Sequence, residues 1–529
     1  MATVREVTLD LLRELGMTRV FGNPGSTEIP FLKEFPEDFS YVLALQEASA
    51  LGMADGYAGA TGRAALVNLH TAPGLGNAMG ALVTAYHNKT PLVVTAGQQD
   101  RRHIALEPLL TGDLVKLAEP YVKRSVEPLR AEDVPGELLR AYHTAMQHPR
   151  GPVFVSVPMD DWTQEAAGPP PSREVVHRSL PDPGALRRVA DALREARNPV
   201  VVAGAGVDRS GGFHDAVTLA EGLGAPVWSD PISGRAGFPQ GHPLFRGHLA
   251  PAQKQLAAQL SGHDVVLVLG APVFLYYPYV PGPVVEEGTR VLHVTDDPDE
   301  AARAATGTSL VGDVALAIRE LTGLLPESSG RRAPEAREEP EPPEPYSPIP
   351  VEYAMYALSE ALPEDAVVAD ESISSKSRLA RYVKVSRPGG YYTSAAGGLG
   401  YAMPAAVGIK LAEPERPVVC TIGDGSAMYS VQALWSAAQY GANVVFFVVN
   451  NRGYSILKGF KEALGAGGPV PGLDLPDLDV TRIAGGFGCA GETVGEPGEL
   501  PPALERAMNA GRPYVLEVLV DRTVPPLLG

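Results

Sequence analysis

Short runs of near-continuous apolar, β-branched residues recur along this chain, each separated from the next by a helix-length amphipathic stretch. They lie at Thr18–Phe21, Tyr41–Leu45, Ala64–Leu69, Pro91–Thr95 and Val153–Val157, then at Pro199–Ala203, Asp264–Leu269 and Arg290–Val294. A last group lies at Ala366–Ala369, Pro417–Ile422 and Val444–Val449. Strands without polar alternation are buried on both faces, and strands separated by helices run parallel because the helix forms the crossover. The pattern predicts an α/β protein with open parallel sheets flanked by helices. Binding sites in such sheets lie beyond the carboxyl ends of the strands.

A chain of 529 residues exceeds what one hydrophobic core organises. Two stretches read as linkers. One is Gln164 to Pro183, with GPPPS and PDP, and the other is PESSGRRAPEAREEPEPPEPYSPIP from Pro326 to Pro350. Proline fixes φ and removes donors, and the charged residues leave little to bury. Three α/β domains are therefore expected over residues 1–165, 183–326 and 348–529.

The net charge of −18 argues against a nucleic-acid or anionic-membrane partner, both of which need a basic surface. An anionic substrate would have to be received by a local site. The two cysteines, Cys420 and Cys489, exclude a disulfide framework and a multi-cysteine metal centre. The N-terminal residues carry charge at helical spacing with no apolar signal core, and no run approaches a membrane span. The expectation is a soluble cytoplasmic protein.

The third segment carries PVVCTIGDGSAMYS and GANVVFFVVNNRGYS. In the first, an apolar strand runs into Gly423-Asp424-Gly425, with a helix expected from about Ser426. In the second, a strand runs into Asn450-Asn451 and then Arg452-Gly453-Tyr454. Asp-Gly and Asn-Arg-Gly are by themselves ordinary turn sequences. Two such turns at the ends of neighbouring strands face one crevice. Glycines let backbone N–H groups approach an anion, and a helix start favours phosphate. Asp424, Asn451 and a loop carbonyl such as that of Gly453 are oxygen ligands suited to Mg²⁺ carrying a diphosphate.

GDGS…NN at this separation resembles the fingerprint of thiamine-diphosphate enzymes. The likeness extends through FGNPGSTEIPFLKEFPEDF, LALQEA, NLHTAPGLGNAMGAL, VTAGQQDR, YYTSAAGGLGYAMPAA and VPGLDLP. Within the 2-oxo acid decarboxylases of that class, it is to the benzoylformate decarboxylases. The resemblance implies three α/β domains, one for the aminopyrimidine, one central, and one for the diphosphate and Mg²⁺. It also implies a homo-oligomer, a dimer or a dimer of dimers, whose cofactor sits between the first domain of one subunit and the third of another. The implied activity is non-oxidative decarboxylation of a 2-oxo acid such as benzoylformate, through the cofactor's C2 ylid and an enamine.

By the same resemblance Glu47 binds the cofactor's pyrimidine, and His70 moves protons. Ser26, whose ordinary reading is a helix cap, would bind the substrate carboxylate. Asn23, Pro24, Ser374, Gly397, Leu399, Gly425, Ser426 and Tyr454 would line the cofactor. Leu109, Leu110, Leu457 and Phe460 would wall the substrate pocket.

The chain departs from that pattern at four places. Tyr277 stands where a second histidine is expected, and a phenol is a poor proton carrier at neutral pH although it still donates a hydrogen bond. Ile373 replaces a threonine near the cofactor, Thr393 an aromatic pocket residue, and Ile456 a small one. Pyruvate decarboxylase-like enzymes carry a His-His pair that this chain lacks. An aldehyde carboligase or lyase and a non-catalytic cofactor-binding protein are the other readings. A GxG at Gly204–Gly206 in the middle segment is a weak dinucleotide signal, and a scaffold role is expected there.

Overall fold

A computed structural model describes residues 2–524. The first sheet contains β1 (Arg19–Gly22), β2 (Ser40–Leu43), β3 (Ala65–Leu69), β4 (Leu92–Gln98), β5 (Ser125–Val126) and β6 (Val153–Pro158), in the order β2-β1-β3-β4-β6-β5. The second contains β7 (Pro199–Ala203), β8 (Val227–Ser229), β9 (Phe245–His248), β10 (Val265–Leu269), β11 (Arg290–Thr295) and β12 (Thr308–Val311), ordered β12-β11-β10-β7-β8-β9. The third contains β13 (Val367–Glu371), β14 (Tyr391–Thr393), β15 (Val418–Gly423), β16 (Val444–Asn450), β17 (Ala490–Val494) and β18 (Tyr514–Leu519), ordered β14-β13-β15-β16-β18-β17. Neighbouring strands pair in parallel in all three sheets. Each apolar run of the sequence is a strand, shifted by a few residues at most. No helix or strand spans the residues between Thr163 and Pro183, or those between Leu324 and Val351. Among the described residues, no helix is long and apolar enough to cross a membrane. Both cysteines are buried and unpaired.

The first and third sheets share one apolar core, which runs from Phe21 and Phe154 on one side to Phe446 and Val515 on the other. Two helices join them, Glu47–Thr61 and Ala402–Ala412. Their backbones touch because glycine stands at the crossing. A Cβ on Gly56 would lie 2.1 Å from the Ala405 carbonyl oxygen, and one on Gly408 would lie 1.9 Å from that of Met53. The third domain also closes the open edge of the first sheet. The Tyr440 hydroxyl accepts from the Leu43 N–H at 2.7 Å and donates to the Tyr41 carbonyl at 3.2 Å. Covering β2 this way removes an edge to which another chain would add.

The middle sheet has its own cores. It is tied to the other two domains through Arg235, which lies over the Tyr392 ring of the third domain at 4.5 Å and donates to the Gly59 carbonyl of the first, while pairing with Asp208 of its own domain at 3.0 Å. The strand order around β7 and β10 is that of dinucleotide-binding sheets, yet the glycines of the GxG serve packing. The Gly206 N–H donates to the Gly270 carbonyl at 2.8 Å, and a Cβ on Gly204 would lie 2.5 Å from Ala271. The scaffold reading of that motif fits this geometry.

The crossing gives a stability test. Gly408→Ala places a methyl against rigid backbone and is expected to lower stability by about 1–3 kcal/mol. Gly136→Ala, in a helix with open space around the site, should be neutral or stabilising by up to about 1 kcal/mol. Thermal unfolding of the two variants checks this, and equal midpoints would remove the crossing from its central place.

Candidate active site

At the carboxyl edge of the third sheet, Gly423 caps a single helical turn, Asp424–Ala427. The helix expected from Ser426 therefore starts two residues earlier and is only one turn long. Asp424 is 2% exposed and accepts from the Gly453 N–H at 3.2 Å. Burial pushes its carboxyl up to about 6, against the pull of backbone N–H groups including those of Gly425 and Gly453. Asn451 is buried as well, and its Oδ1 has no partner. Arg452, at φ 56, turns the chain between Asn451 and Gly453. A Cβ on Gly425 would lie 2.5 Å from the Tyr454 ring, so glycine is needed there, and Ser426 is buried beside it.

Among the described residues no three His, Cys, Asp or Glu side chains gather around a metal position. One buried carboxylate with an orphaned amide oxygen nevertheless fits a hard cation that draws its remaining ligands from backbone and phosphate oxygens. These residues fit Mg²⁺-diphosphate.

The neighbouring strand ends complete this half of the site. The Ser374 hydroxyl oxygen accepts from the Ile456 N–H at 3.0 Å, tying the turn after β13 to the helix Ser455–Ala463. That helix carries Ile456, Leu457 and Phe460. The Phe460 ring meets the ring of Tyr277, from the middle domain, at 5.5 Å. Thr393, the last residue of β14, is 4% exposed and its hydroxyl donates to the Asp370 carbonyl at 2.7 Å. Gly397, at φ 70, and Leu399 lie on the loop after β14.

Sequence reasoning missed what holds that loop. Glu371, the last residue of β13, is 1% exposed and accepts from the N–H groups of Gly400, Tyr401 and Ala402 at 2.7, 2.7 and 2.8 Å. Burial pushes its carboxyl up to about 7 against those three donors. Its position at a strand carboxyl end was the available signal.

The other half lies at the carboxyl edge of the first sheet. Glu47 opens the helix Glu47–Thr61, is half-buried in the single chain, and accepts from Asn77 Nδ2 at 3.1 Å. His70 precedes the helix Thr71–His87, and its Nδ1 lies 2.8 Å from Glu28 Oε2. Glu28 also escaped the sequence reading. It is 1% exposed and accepts from the Gly25 and Gly97 N–H groups and the Thr27 hydroxyl at 2.7, 2.9 and 2.7 Å. This carboxylate, held by two backbone N–H groups and a hydroxyl, engages His70 through Nδ1 and leaves Nε2 outside that contact.

A Cβ on Gly25 would lie 2.3 Å from the His70 ring, so only glycine fits beneath it. Asn23 Nδ2 donates to the Ala44 carbonyl at 2.7 Å, with Pro24 next to it. Ser26 is exposed and is not the helix cap, because Glu28 stands at the cap position of Ile29–Leu32. Leu109 is exposed and Leu110 sits at φ 70 on a loop held by the Gly112 carbonyl, which accepts from Gln98 Nε2 at 3.1 Å.

One chain does not bring the two halves together. The Ala395 N–H donates to Asn88 Oδ1 at 2.9 Å, and a Cβ on Gly398 would lie 3.6 Å from Thr84 Oγ1. The loop bearing Gly397 and Leu399 therefore lies against the C-terminal end of Thr71–His87, while His70 caps its N-terminal end. At 1.5 Å per residue, His70 and Thr84 are about 21 Å apart along the axis.

Fold and site together define a cofactor-dependent α/β enzyme with a diphosphate-binding edge. The chain belongs to the thiamine pyrophosphate enzyme family. It matches that family's N-terminal TPP binding domain over residues 2–117, its central domain over 186–321 and its C-terminal TPP binding domain over 374–518. It is 45% identical to benzoylformate decarboxylase of Pseudomonas aeruginosa, covering 99% of this chain and 100% of that one. The crystal structure of benzoylformate decarboxylase from Polynucleobacter necessarius superposes with a TM-score of 0.97 at 42% identity, over 99% of this chain and 100% of that chain. A thiamine diphosphate-dependent 4-hydroxybenzoylformate decarboxylase of Rhodococcus jostii gives 0.95 at 44% identity, with the same coverage.

Glu371→Gln replaces one acceptor oxygen by an amide donor facing backbone N–H groups. A buried donor left unpaired costs about 1–3 kcal/mol. Hydrogen exchange at the Tyr401 and Ala402 amides is expected to speed up by about 10- to 100-fold. Unchanged protection would show that the loop is held by something else.

Proposed function

We propose that this protein decarboxylates an aromatic 2-oxo acid of the benzoylformate type without oxidation, using thiamine diphosphate and Mg²⁺, in an assembly of at least two copies. The observation that carries the reading is the carboxyl edge of the third sheet, where buried Asp424 and the partnerless Asn451 Oδ1 stand beside the Gly425–Ser426 turn. Asp424, Asn451 and the Gly453 carbonyl would hold the cation. Gly425, Ser426, Ser374 and Tyr454 would surround the diphosphate. Bound thiamine diphosphate supplies a nucleophilic carbon and an electron sink for loss of CO₂.

The chain's own groups do the rest. Glu47 would hydrogen-bond the cofactor's pyrimidine, with Gly397 and Leu399 supporting its other side and Asn23 and Pro24 beside it. His70, with Nδ1 held by Glu28, would exchange a proton at Nε2. The exposed Ser26 hydroxyl is free to donate to the substrate carboxylate. Leu109, Leu110, Leu457 and Phe460 would surround the aromatic ring and exclude water. Tyr277, stacked on Phe460, would donate a hydrogen bond near the reacting carbon.

The distances support a second copy. Glu47 and His70 stand at one end of the Thr71–His87 helix, and the chain's own Gly397 loop stands at the other. One cofactor touches both sets only if they come from different subunits related by symmetry.

Two measurements test this. The first is CO₂ and aldehyde release from benzoylformate, 4-hydroxybenzoylformate, phenylpyruvate and pyruvate with both cofactors present. Preference for the first two is expected, and turnover of pyruvate alone would sink the substrate assignment. The second is subunit complementation. Glu47→Gln and Asp424→Asn are each expected to lower turnover roughly 100-fold or more. Mixed dimers then carry one intact site, so equal mixing should restore about a quarter of wild-type activity. No recovery on verified subunit exchange would place each site within one chain.

A further inference from the structure

A cavity of about 300 Å³ lies where the three domains meet. Its walls come from Arg150 in the first domain, from the carboxyl ends of β7, β8 and β10 in the middle domain, and from Ala395 in the third. None of the residues assigned above to cofactor or substrate lines it.

Three polar groups on these walls are left unsatisfied by the fold. Arg209 ends the five-residue helix Ala205–Arg209 and is half-buried, and its guanidinium makes no hydrogen bond or ion pair among the described residues. Arg150 donates from Nη1 to the Gly62 carbonyl at 3.2 Å, but its Nε is buried without a partner. Asp230 is 3% exposed, and its Oδ1 is buried without a partner. Burial holds the Arg150 guanidinium below its usual value, and the positive charges of Arg209 and Arg235 act in the same direction, against Asp296.

Asp296, whose charge reaches both arginines, is already engaged by His148 at 2.7 Å and forms no ion pair with either. Lys89 already engages Asp297 at 2.9 Å and Glu300 at 2.8 Å, and Asp299 is exposed at the rim. Both unpaired arginines also face an adjoining cavity of about 50 Å³.

A half-buried guanidinium without an ion pair carries part of the desolvation cost of a buried charge, which neutral neighbours offset only in part. Its planar fork matches the oxygens of phosphate and carboxylate groups two at a time. We propose that this cavity binds a small oxyanion, a phosphate or a carboxylate, between Arg150 and Arg209, with Asp230 meeting a polar group at its other end. A dinucleotide does not suit the place, because the Gly206 N–H is already bonded to the Gly270 carbonyl and Gly204 is packed against Ala271. Ala395 lines the same cavity two residues before Gly397, so an anion here stiffens the wall from which the cofactor loop departs. That consequence rests on the functional reading above, whereas the binding does not.

The test is ³¹P line broadening of inorganic phosphate by the cofactor-loaded enzyme, with benzoate as the competing carboxylate. Saturable broadening is expected, weakened at least tenfold by Arg209→Gln and changed less than twofold by Arg303→Gln, an exposed cation at the rim. Arg150→Gln is the second variant, read the same way. Displacement of phosphate by benzoate would assign the site to carboxylates, and failure to displace would assign it to phosphates. If phosphate does not bind saturably and benzoate shows no Arg209-dependent binding, or if Arg209→Gln binds phosphate as tightly as wild type, the proposal falls. These readouts do not involve turnover, so they stand or fall separately from the decarboxylase reading.

Discussion

The close crossing of Glu47–Thr61 over Ala402–Ala412 governs the rest of the molecule. At Gly56 and Gly408 a bare backbone meets a carbonyl oxygen with no room for a methyl group. That contact draws the first and third sheets into one core, because helix axes approach this closely only where side chains are absent at the contact. The crossing also fixes where the half-sites stand. Glu47 is the first residue of one crossing helix, and the loop of Gly397 and Leu399 runs into the other. With those helices locked, the loop lies against the far end of Thr71–His87 from His70. The shared core holds the two sheets together, and the same geometry sets Glu47 and His70 at one end of Thr71–His87 and the Gly397 loop at the other.

Three buried carboxylates near the strand ends, Glu28, Glu371 and Glu517, gather backbone N–H groups and side-chain donors around them. Glu28 gathers Gly25 and Gly97, Glu371 gathers Gly400 to Ala402, and Glu517 accepts from Asn450 Nδ2 at 2.6 Å. A buried carboxylate is tolerated only when its lone pairs are satisfied. Each therefore selects one loop conformation and penalises the alternatives. Glu517 illustrates the consequence. By holding Asn450 from β18 it sets the turn that presents Asn451. Such groups preorganise reactive side chains without touching a ligand.

The fold was legible wherever strands are buried on both faces. β3, β4, β7, β10, β15 and β16 read as unbroken apolar runs because both sides are covered by helices. The strands that escaped are mainly edge strands, β5, β9, β12, β14 and β17, whose exposed side admits polar residues. β17, for example, reads Ala-Gly-Glu-Thr-Val. β18 is interior but is interrupted by Glu517, which is polar for the reason just given. Within the site, Asp424 and Asn451 were visible because glycine turns mark them. Glu28 and Glu371 were not, since their main partners lie up to 69 positions away in the chain and only the folded sheet brings them near.

The groups that remain unsatisfied in the folded chain form a pattern of their own. Most buried polar atoms find partners, yet Asn451 Oδ1 finds none beside Asp424, and Arg150 Nε and Asp230 Oδ1 find none around the three-domain cavity. The first lies in a crevice whose chemistry calls for a cation and a diphosphate. The other two lie beside two guanidiniums that make no ion pair among the described residues, Asp296 nearby being held by His148. Folding could have closed either place with an apolar side chain at lower cost. Polar groups left open in this way are places where a ligand or a partner can supply what the chain does not.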